Sequence, residues 1–410
     1  MNKRLRMDAE RIAREAIDAV KPDEAVRRAL RNISLTDRVY LVAVGKAAWQ
    51  MAAAVVQYLK QPLQRGIVVT KYGHVMDDIP GVTCFEAGHP VPDENSFAAT
   101  QAVLDMTANL KSDDTVLFLL SGGGSALFEN PLVEPDVLQK ITRILLACGA
   151  SITEINTIRK RLSAVKGGRF ARHCSPAKVE AVILSDILGD PVDMIASGPA
   201  AADPTTSEEA VAVLEKYGIE IPAVRLLLEQ ETPKIIENVH TQIIGSVREL
   251  CRAAEQAAIK LGYECVFLSD QLDGEAADTG RWMAQKMKEY TGSGRKIALL
   301  AGGETVVHVK GNGLGGRNQE LALAAAEILD GVYNAALISV GSDGTDGPTD
   351  AAGGYADGDT VQSLRKAGID IGIALANNDA YHALQAISSL IITGPTGTNV
   401  NDVTIGLVEE

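Results

Sequence analysis

An α/β protein of two domains is the fold this sequence predicts, and three observations lead there. The chain has 410 residues, more than one hydrophobic core usually organises, and 46% of them are apolar, enough to build two cores. Aromatic residues make up only 4%, while helical and strand patterns rich in Ala, Val, Leu and Gly alternate along the chain; this favours helices laid on sheets over a sandwich or a bundle. Strand-like runs also break abruptly into loops dense in Gly with Ser, Thr, Asp or Lys: VAVGK (Val42 to Lys46), SGGGS (Ser121 to Ser125), AGGET (Ala301 to Thr305), SVGSDGTDG (Ser339 to Gly347) and ITGPTGTN (Ile392 to Asn399). Such loops let backbone N–H groups approach an anion closely, so five of them point to a phosphorylated ligand.

Two helices are expected first, Met7 to Val20 and, after Pro22, Asp23 to Ile33. RVYLVAVG reads as a strand, Lys46 to Leu59 as an Ala-rich helix and GIVVT as a second strand; this βαβ unit makes the strands parallel. GVTCFEAGHPVPDENS supplies a short strand and a loop whose Asn95 or Ser96 is expected to cap a helix over Phe97 to Leu110, followed by the buried strand DTVLFLL. Helical patterns run from Glu134 to Ala147 and from Asn156 to Ala171, and VEAVILSD is the next buried strand. Met194 to Thr206 is loop chemistry, with helices over Glu208 to Tyr217 and Ile221 to Glu229 beyond it. The boundary is expected between 236 and 237, where the fresh strand TQIIGS opens a second domain of residues 237–410 after a first domain of residues 1–236. That second domain reads as helix Val247 to Leu261, strand ECVFLS, helix Glu275 to Tyr290, strands KIALLAGG and TVVHVK, and helix Asn318 to Leu329. Strand AALISVG, helices near Asp359 to Lys366 and Asp379 to Ile387, and the closing strands LIITG and DVTIGLV complete it.

A formal charge of −14 and a pI near 5.0 argue against a nucleic-acid groove, which needs clustered Lys and Arg. No apolar stretch reaches the ~20 residues of a membrane span, and the start MNKRLRMDAERIAREAI lacks the apolar core of a signal peptide, so a cytoplasmic protein is expected. The five Cys show no CxxC or Cys/His spacing, which leaves buried reduced thiols rather than disulfides or a zinc site.

Six long motifs, SGGGSALF, NTIRKRLSAVKGGRFA, ILSDILGDPVDMIASGPAAADPTT, GGETVVHVKGNGLGGRNQELALAAA, SDGTDGPTDAAGG and GPTGTNVNDV, stand in one order between about Gly45 and Val403. In them the chain resembles the class II glycerate kinases with a MOFRL domain. The resemblance implies a Rossmann-like N-terminal domain with a parallel sheet, a second α/β domain containing MOFRL, and an active site in the cleft between them. It implies transfer of the γ-phosphoryl group of ATP to D-glycerate, giving 2-phosphoglycerate, with Mg²⁺ or a similar divalent ion. Two other readings stay open: an NAD(P)H-dependent hydroxypyruvate reductase, a label such proteins often carry, and a non-catalytic sugar-phosphate-binding module. A homodimer is compatible with the sequence.

Phosphoryl transfer asks for positioning and charge neutralisation, and the sequence holds groups for both. Lys46 follows Gly45 at a strand end and opens a helix, where strand C-terminal ends form a crevice. Arg317 stands between two Gly and a helical run, placed to clamp a carboxylate or phosphoryl group, or else to pair with Glu320 on the surface. Glu304, Asn318 and Glu320 lie in the same two motifs. Asp186 and Asp190 are the expected metal pair, with Asp186 also a catalytic candidate, since Mg²⁺ takes one or two protein carboxylates. Asp343, with Asp346 and Asp350, forms a second acidic loop that a turn alone would also explain. Lys160, Arg161 and Lys166 balance these acids if their helix faces the site, and otherwise form a solvated charged face. Ser121, Gly122, Gly123, Gly124 and Ser125 are the expected cradle for triphosphate or carboxylate oxygens. The GxxxxGK[ST] spacing is absent, and no GxGxxG follows the first strand, which counts against a nicotinamide cofactor. The acidic loops favour a Mg–ATP enzyme over a sensor.

Overall fold

The computed structural model describes residues 2–59 and 61–409. The chain falls into two compact units, each with a six-stranded sheet.

One unit consists of Val26–Ser185 and Asp190–Ile244. Its strands are β1 (Arg38–Val44), β2 (Arg65–Lys71), β3 (Val82–Ala87), β4 (Asp114–Leu120), β5 (Lys178–Leu184) and β6 (Val239–Gly245), in the order β3-β2-β1-β4-β5-β6. Neighbours from β1 to β5 run parallel. Every residue of β4 is buried, as expected of a central strand covered on both faces. This is the Rossmann-like order, in which the strand order reverses between β1 and β4 and opens a crevice at the carboxyl ends of these strands. Beneath that crevice Phe118 of β4 packs with Phe128 and Phe170 at centroid distances of 4.8–5.8 Å.

The other unit consists of the segment ending at Ala25, Asp186–Gly189 and the chain from Gly245 onward. Its strands are β7 (Glu264–Leu272), β8 (Ile297–Gly303), β9 (Ala335–Gly341), β10 (Gly353–Asp357), β11 (Leu390–Ile391) and β12 (Asp402–Val408), in the order β11-β10-β9-β12-β8-β7. The sheet is mixed: β12 runs antiparallel to both β8 and β9, while β7 and β8 are parallel. β8, β9 and β12 are buried throughout, and the helix Arg317–Leu329, with Leu321, Ala322, Ala325 and Leu329 inside, covers this core.

Several elements depart from expectation, each for a local reason. TQIIGS opens no second domain: β6 is the edge strand of the first sheet, beside β5. The first helix, Lys3–Ala19, belongs to the second sheet's unit, where Leu5, Ile12 and Ile17 are buried and Asp8 accepts a 2.8 Å bond from the Tyr263 hydroxyl. The helix expected over Asn156 to Ala171 breaks into Ile152–Arg161 and Arg169–Cys174: Ser163 leaves the helix to form a bridge with Pro131, and Gly168, left-handed at φ +80°, stands at the start of the second helix. Asp93, not Asn95 or Ser96, caps Glu94–Thr107, accepting from the Ser96 backbone at 3.0 Å. TVVHVK forms no strand beyond one bridge, Glu275 to Val306, while β10 and the helix Ile371–Ala376 lay below the pattern's reach. Of the five free thiols, Cys174 and Cys251 are buried and Cys148 is exposed.

Candidate active site

In the first unit the loops after β1 and β4 meet at the reversal of strand order. Lys46 donates its backbone N–H to the Gly122 carbonyl at 2.8 Å, and the Ser121 hydroxyl accepts from the Ala47 N–H at 3.1 Å. The fit demands glycine. A Cβ on Gly45 (φ +125°) would lie 2.2 Å from Ser121 Oγ, and one on Gly123 (φ +87°) 3.0 Å from His89 Cδ2 and 3.3 Å from Lys46 Cγ. Gly123 is thus held between the His89 ring and the Lys46 stem. Gly124 opens a short helix, Gly124–Leu127. Among the described residues no carboxylate lies within ion-pair distance of the Lys46 ammonium, which leaves a half-buried cation beside the loop. His89 sits near Lys46, Lys71 and His74; burial first, then these neighbours, pull its pKa below the ordinary imidazole value. Ser125 Oγ meets Ser197 Oγ at 3.1 Å, and Ser197 donates to Asn156 Oδ1 at 3.0 Å. Ser197 (φ +61°) and its neighbour Ala196 (φ +50°) hold left-handed backbone without being glycine, strain of the kind that collects at functional sites.

The basic run behaves differently from a solvated face. Lys160 Nζ lies 3.0 Å from Asp193 Oδ2 and 3.1 Å from Asp203 Oδ1, and Arg161 donates to the Thr205 carbonyl at 2.7 Å and to Asp203 at 3.5 Å. Lys166, fully buried, donates to the Phe128 carbonyl at 2.7 Å and lies 2.8 Å from Glu129 Oε2, although that carboxylate accepts no well-aimed hydrogen bond. Burial holds the Lys166 pKa below its usual value. Lys160 and Lys166 therefore spend their charges on internal carboxylates, and Lys166 anchors the residue ending the Gly124–Leu127 helix.

In the second unit Arg317 opens the helix Arg317–Leu329, where a cation opposes the helix dipole. Three contacts offset this: Nε and Nη2 reach Asp402 Oδ2 and Oδ1 at 2.5 and 3.0 Å, and Nη1 reaches Glu304 Oε1 at 2.9 Å. Burial works against the guanidinium, but the bonds from Asp402 outweigh it and hold its pKa above the ordinary value. The alternative pairing with Glu320 does not form among the described residues; Glu320 accepts from Asn378 Nδ2 at 3.0 Å, and burial raises its pKa. Asp346 serves the helix start as an external cap, accepting from the Asn318 and Gln319 backbones at 3.1 and 2.9 Å. Burial, against these N–H groups, pushes its pKa up to about 6. Asn318 is buried, its amide shared between Asp346 and the Ser339 hydroxyl at 3.3 and 2.6 Å.

Glu304, Arg317 and Glu320 line a cavity of about 670 Å³ with Val306, Val307 and Gly316. Asp343 turns its loop by accepting from the Thr345 N–H at 2.9 Å. Beside it oxygen atoms crowd Gly341: a Cβ there would lie 2.7 Å from the Thr345 carbonyl, 3.3 Å from Asp343 Oδ1 and 3.5 Å from Asp402 Oδ1. Asn401 ties this corner to the loop of Asp186, whose carbonyl accepts from its Nδ2 at 3.3 Å. Asp190 belongs to the first unit, with φ +53°, and Asp350 is exposed, accepting from the Tyr381 hydroxyl at 2.8 Å.

Of the residues singled out from the sequence, Lys46, the SGGGS loop, Glu304, Arg317 and Asp343 lie in these two clusters. His89, Ser197 and Asp402, which the sequence did not single out, lie there with them. HPVPD carries no ligand spacing, and Asp402 read simply as the start of a strand; only the three-dimensional fold brings them in.

The chain matches a family model described as a domain of unknown function (DUF4147) over residues 8–229 and the MOFRL family model over residues 297–402. It is 54% identical over 404 residues to D-glycerate 2-kinase of Thermotoga maritima, covering 97% of each chain. It is 39% identical to glycerate 2-kinase of Pyrococcus horikoshii, covering 97% of this chain and 96% of that one. A crystal structure of glycerate kinase from Thermotoga maritima matches with a TM-score of 0.95 at 53% identity, covering 99% of this chain and all of that one. Glycine loops at a strand-order reversal, with a free lysine and a carboxylate-clamped arginine, fit a phosphotransferase. The chain belongs to the glycerate kinase family.

Proposed function

We propose that the protein transfers the γ-phosphoryl group of ATP to the 2-hydroxyl of D-glycerate, in the cytoplasm and with Mg²⁺. The observation that carries this reading is the Lys46 ammonium, without an ion-pair partner among the described residues, beside the Gly122–Gly124 loop at the β1–β4 reversal: a fixed cation and approachable backbone amides answer the charge that builds on phosphoryl oxygens. Lys46 neutralises that charge, and Ser121 and Gly45 fix the turn that presents it.

The nucleotide fits the second unit. Its cavity of about 670 Å³ has apolar walls at Val306, Val307 and Val309, and pockets of about 300–1,000 Å³ are the usual size for such ligands. The oxygens gathered around Gly341, two of them from carboxylates, have the chemistry that suits Mg²⁺. Among the described residues no three His, Cys, Asp or Glu side chains converge, but Mg²⁺ asks for only one or two carboxylates and takes water and phosphate oxygens besides. Asp343 would hold it, with Asp186 tied to the same corner through Asn401; Asp190 stays a candidate without a partner contact to support it. When bound, the ion supplies charge neutralisation and phosphate alignment. Arg317, fixed by Asp402 and Glu304, is oriented to meet phosphate with its remaining N–H groups. Lys160 and Lys166 act by positioning the loops they anchor. Phosphorus NMR of the product formed from D-glycerate and Mg–ATP tests the reading: 2-phosphoglycerate supports it, and 3-phosphoglycerate overturns the assigned hydroxyl.

A further inference from the structure

The basic run between Arg159 and Arg169 has five members, and four of them are spoken for. Lys160, Arg161 and Lys166 are held by Asp203, Asp193 and Glu129, and Arg169 donates to the carbonyls of Lys160, Arg161 and Ser163 at 2.7–3.2 Å. Arg159 is the exception. Among the described residues it makes no ion pair or hydrogen bond, and its Nε is sealed from solvent with no acceptor. A half-buried guanidinium whose Nε is cut off from water and from any acceptor is costly without an anion, and Glu129, the carboxylate whose charge acts on it, is already engaged by Lys166 at 2.8 Å.

The helix Ile152–Arg161 places Arg159 one turn beyond Asn156, and residues three apart share a helix face. Asn156 leads to the glycine loop through Ser197 and Ser125 at 3.0 and 3.1 Å. Glu129 stands just past Phe128, which ends the helix begun by the loop. Arg159 therefore belongs to the surroundings of the Ser121–Ser125 loop, reached through Asn156, Ser197 and Ser125.

We infer that Arg159 binds the carboxylate of the small hydroxy acid that accepts the phosphoryl group. A planar fork matches a carboxylate with two N–H bonds, and the acceptor is the substrate that must bring this anion. Arg317 is poorly suited to the task, because three of its N–H directions are taken by Asp402 and Glu304. The inference rests on the kinase reading and deepens it.

Steady-state kinetics of Arg159→Ala and Arg159→Lys against D-glycerate and ATP, with glycerol as an acceptor lacking the carboxylate, test it. The KM for D-glycerate should rise about 30- to 100-fold in Arg159→Ala, the size of a lost charged hydrogen-bond pair. Arg159→Lys should fall between, the KM for ATP should stay within about twofold, and added guanidinium should partly rescue Arg159→Ala. Turnover of glycerol, poor in every form, should not fall further. An unchanged KM for D-glycerate, or equal losses with glycerate and glycerol, overturns the assignment. If Arg159→Ala fails to fold, Arg159→Lys carries the same comparison. If the wild-type protein does not phosphorylate D-glycerate, the kinase reading fails by itself; calorimetric titration of D-glycerate into wild type and Arg159→Lys then decides the inference, equal affinities refuting it.

Discussion

Removing the Asp402 carboxylate should cost stability and activity together, because Asp402 is what holds Arg317. Asp402 is 5% exposed, and its two oxygens receive Arg317 Nε and Nη2 at 2.5 and 3.0 Å. Asp402→Asn keeps the shape and one acceptor but turns an NH₂ group toward the guanidinium. Charged hydrogen bonds contribute about 1.5–3 kcal/mol each; the Arg317 side chain is 31% exposed and burial already raises the Asp402 pKa, so the pair is discounted to a loss of about 2 kcal/mol in total. Glu304, 46% exposed, recovers under about 1 kcal/mol. Arg317→Met should cost more, about 3 kcal/mol, because it strands a buried carboxylate. Urea unfolding followed by Trp282 fluorescence, in a Trp49→Phe background, gives the single and double variants. The double variant should cost about 3 kcal/mol, below the sum of its parts, a coupling of about 2 kcal/mol. Single effects that add to within about 0.5 kcal/mol would refute the clamp.

Other consequences follow from individual side chains. Lys46→Ala should lower kcat/KM at least 100-fold, about 2.7 kcal/mol of transition-state stabilisation, while leaving the thermal midpoint nearly unmoved, because no ion pair depends on it; near-normal turnover removes Lys46 from the site. Lys166→Met should destabilise the first unit by about 3–5 kcal/mol, since Glu129 would be left buried without a counter-charge, and a denaturation midpoint close to wild type would show that this pair is dispensable. Asp346, raised from 3.8 to about 6, makes the native state take up a proton that the unfolded chain has already lost, so its contribution is complete below pH 4 and is lost as pH rises through 6. Urea unfolding should therefore show stability falling between pH 4.5 and 7 by about 2 kcal/mol, and Asp346→Asn should flatten that slope; an equal slope in the variant contradicts the assignment.

The sequence made the layers and the glycine loops legible because both rest on local signals. Continuous apolar runs such as DTVLFLL read as buried parallel strands, and Gly45 and Gly123 mark backbone that no other residue fits. Long-range pairing was not legible. Nothing in TQIIGS says that it completes the first sheet, and nothing in the first helix says that it packs on the second. The basic run shows the same limit: five cations in eleven positions look alike in sequence, yet burial beside Asp203, Asp193 and Glu129 silences three of them and leaves Arg159 without an anion. Asp402 carries no motif of its own and gains its part from β12 lying between β8 and β9.

The most direct test of the whole account is an ADP-release assay with Mg–ATP and D-glycerate, run beside hydroxypyruvate with NADH or NADPH. ADP release that depends on D-glycerate, with no nucleotide oxidation in the parallel reaction, is the predicted result. Oxidation of NADH or NADPH by hydroxypyruvate without ADP release would contradict it.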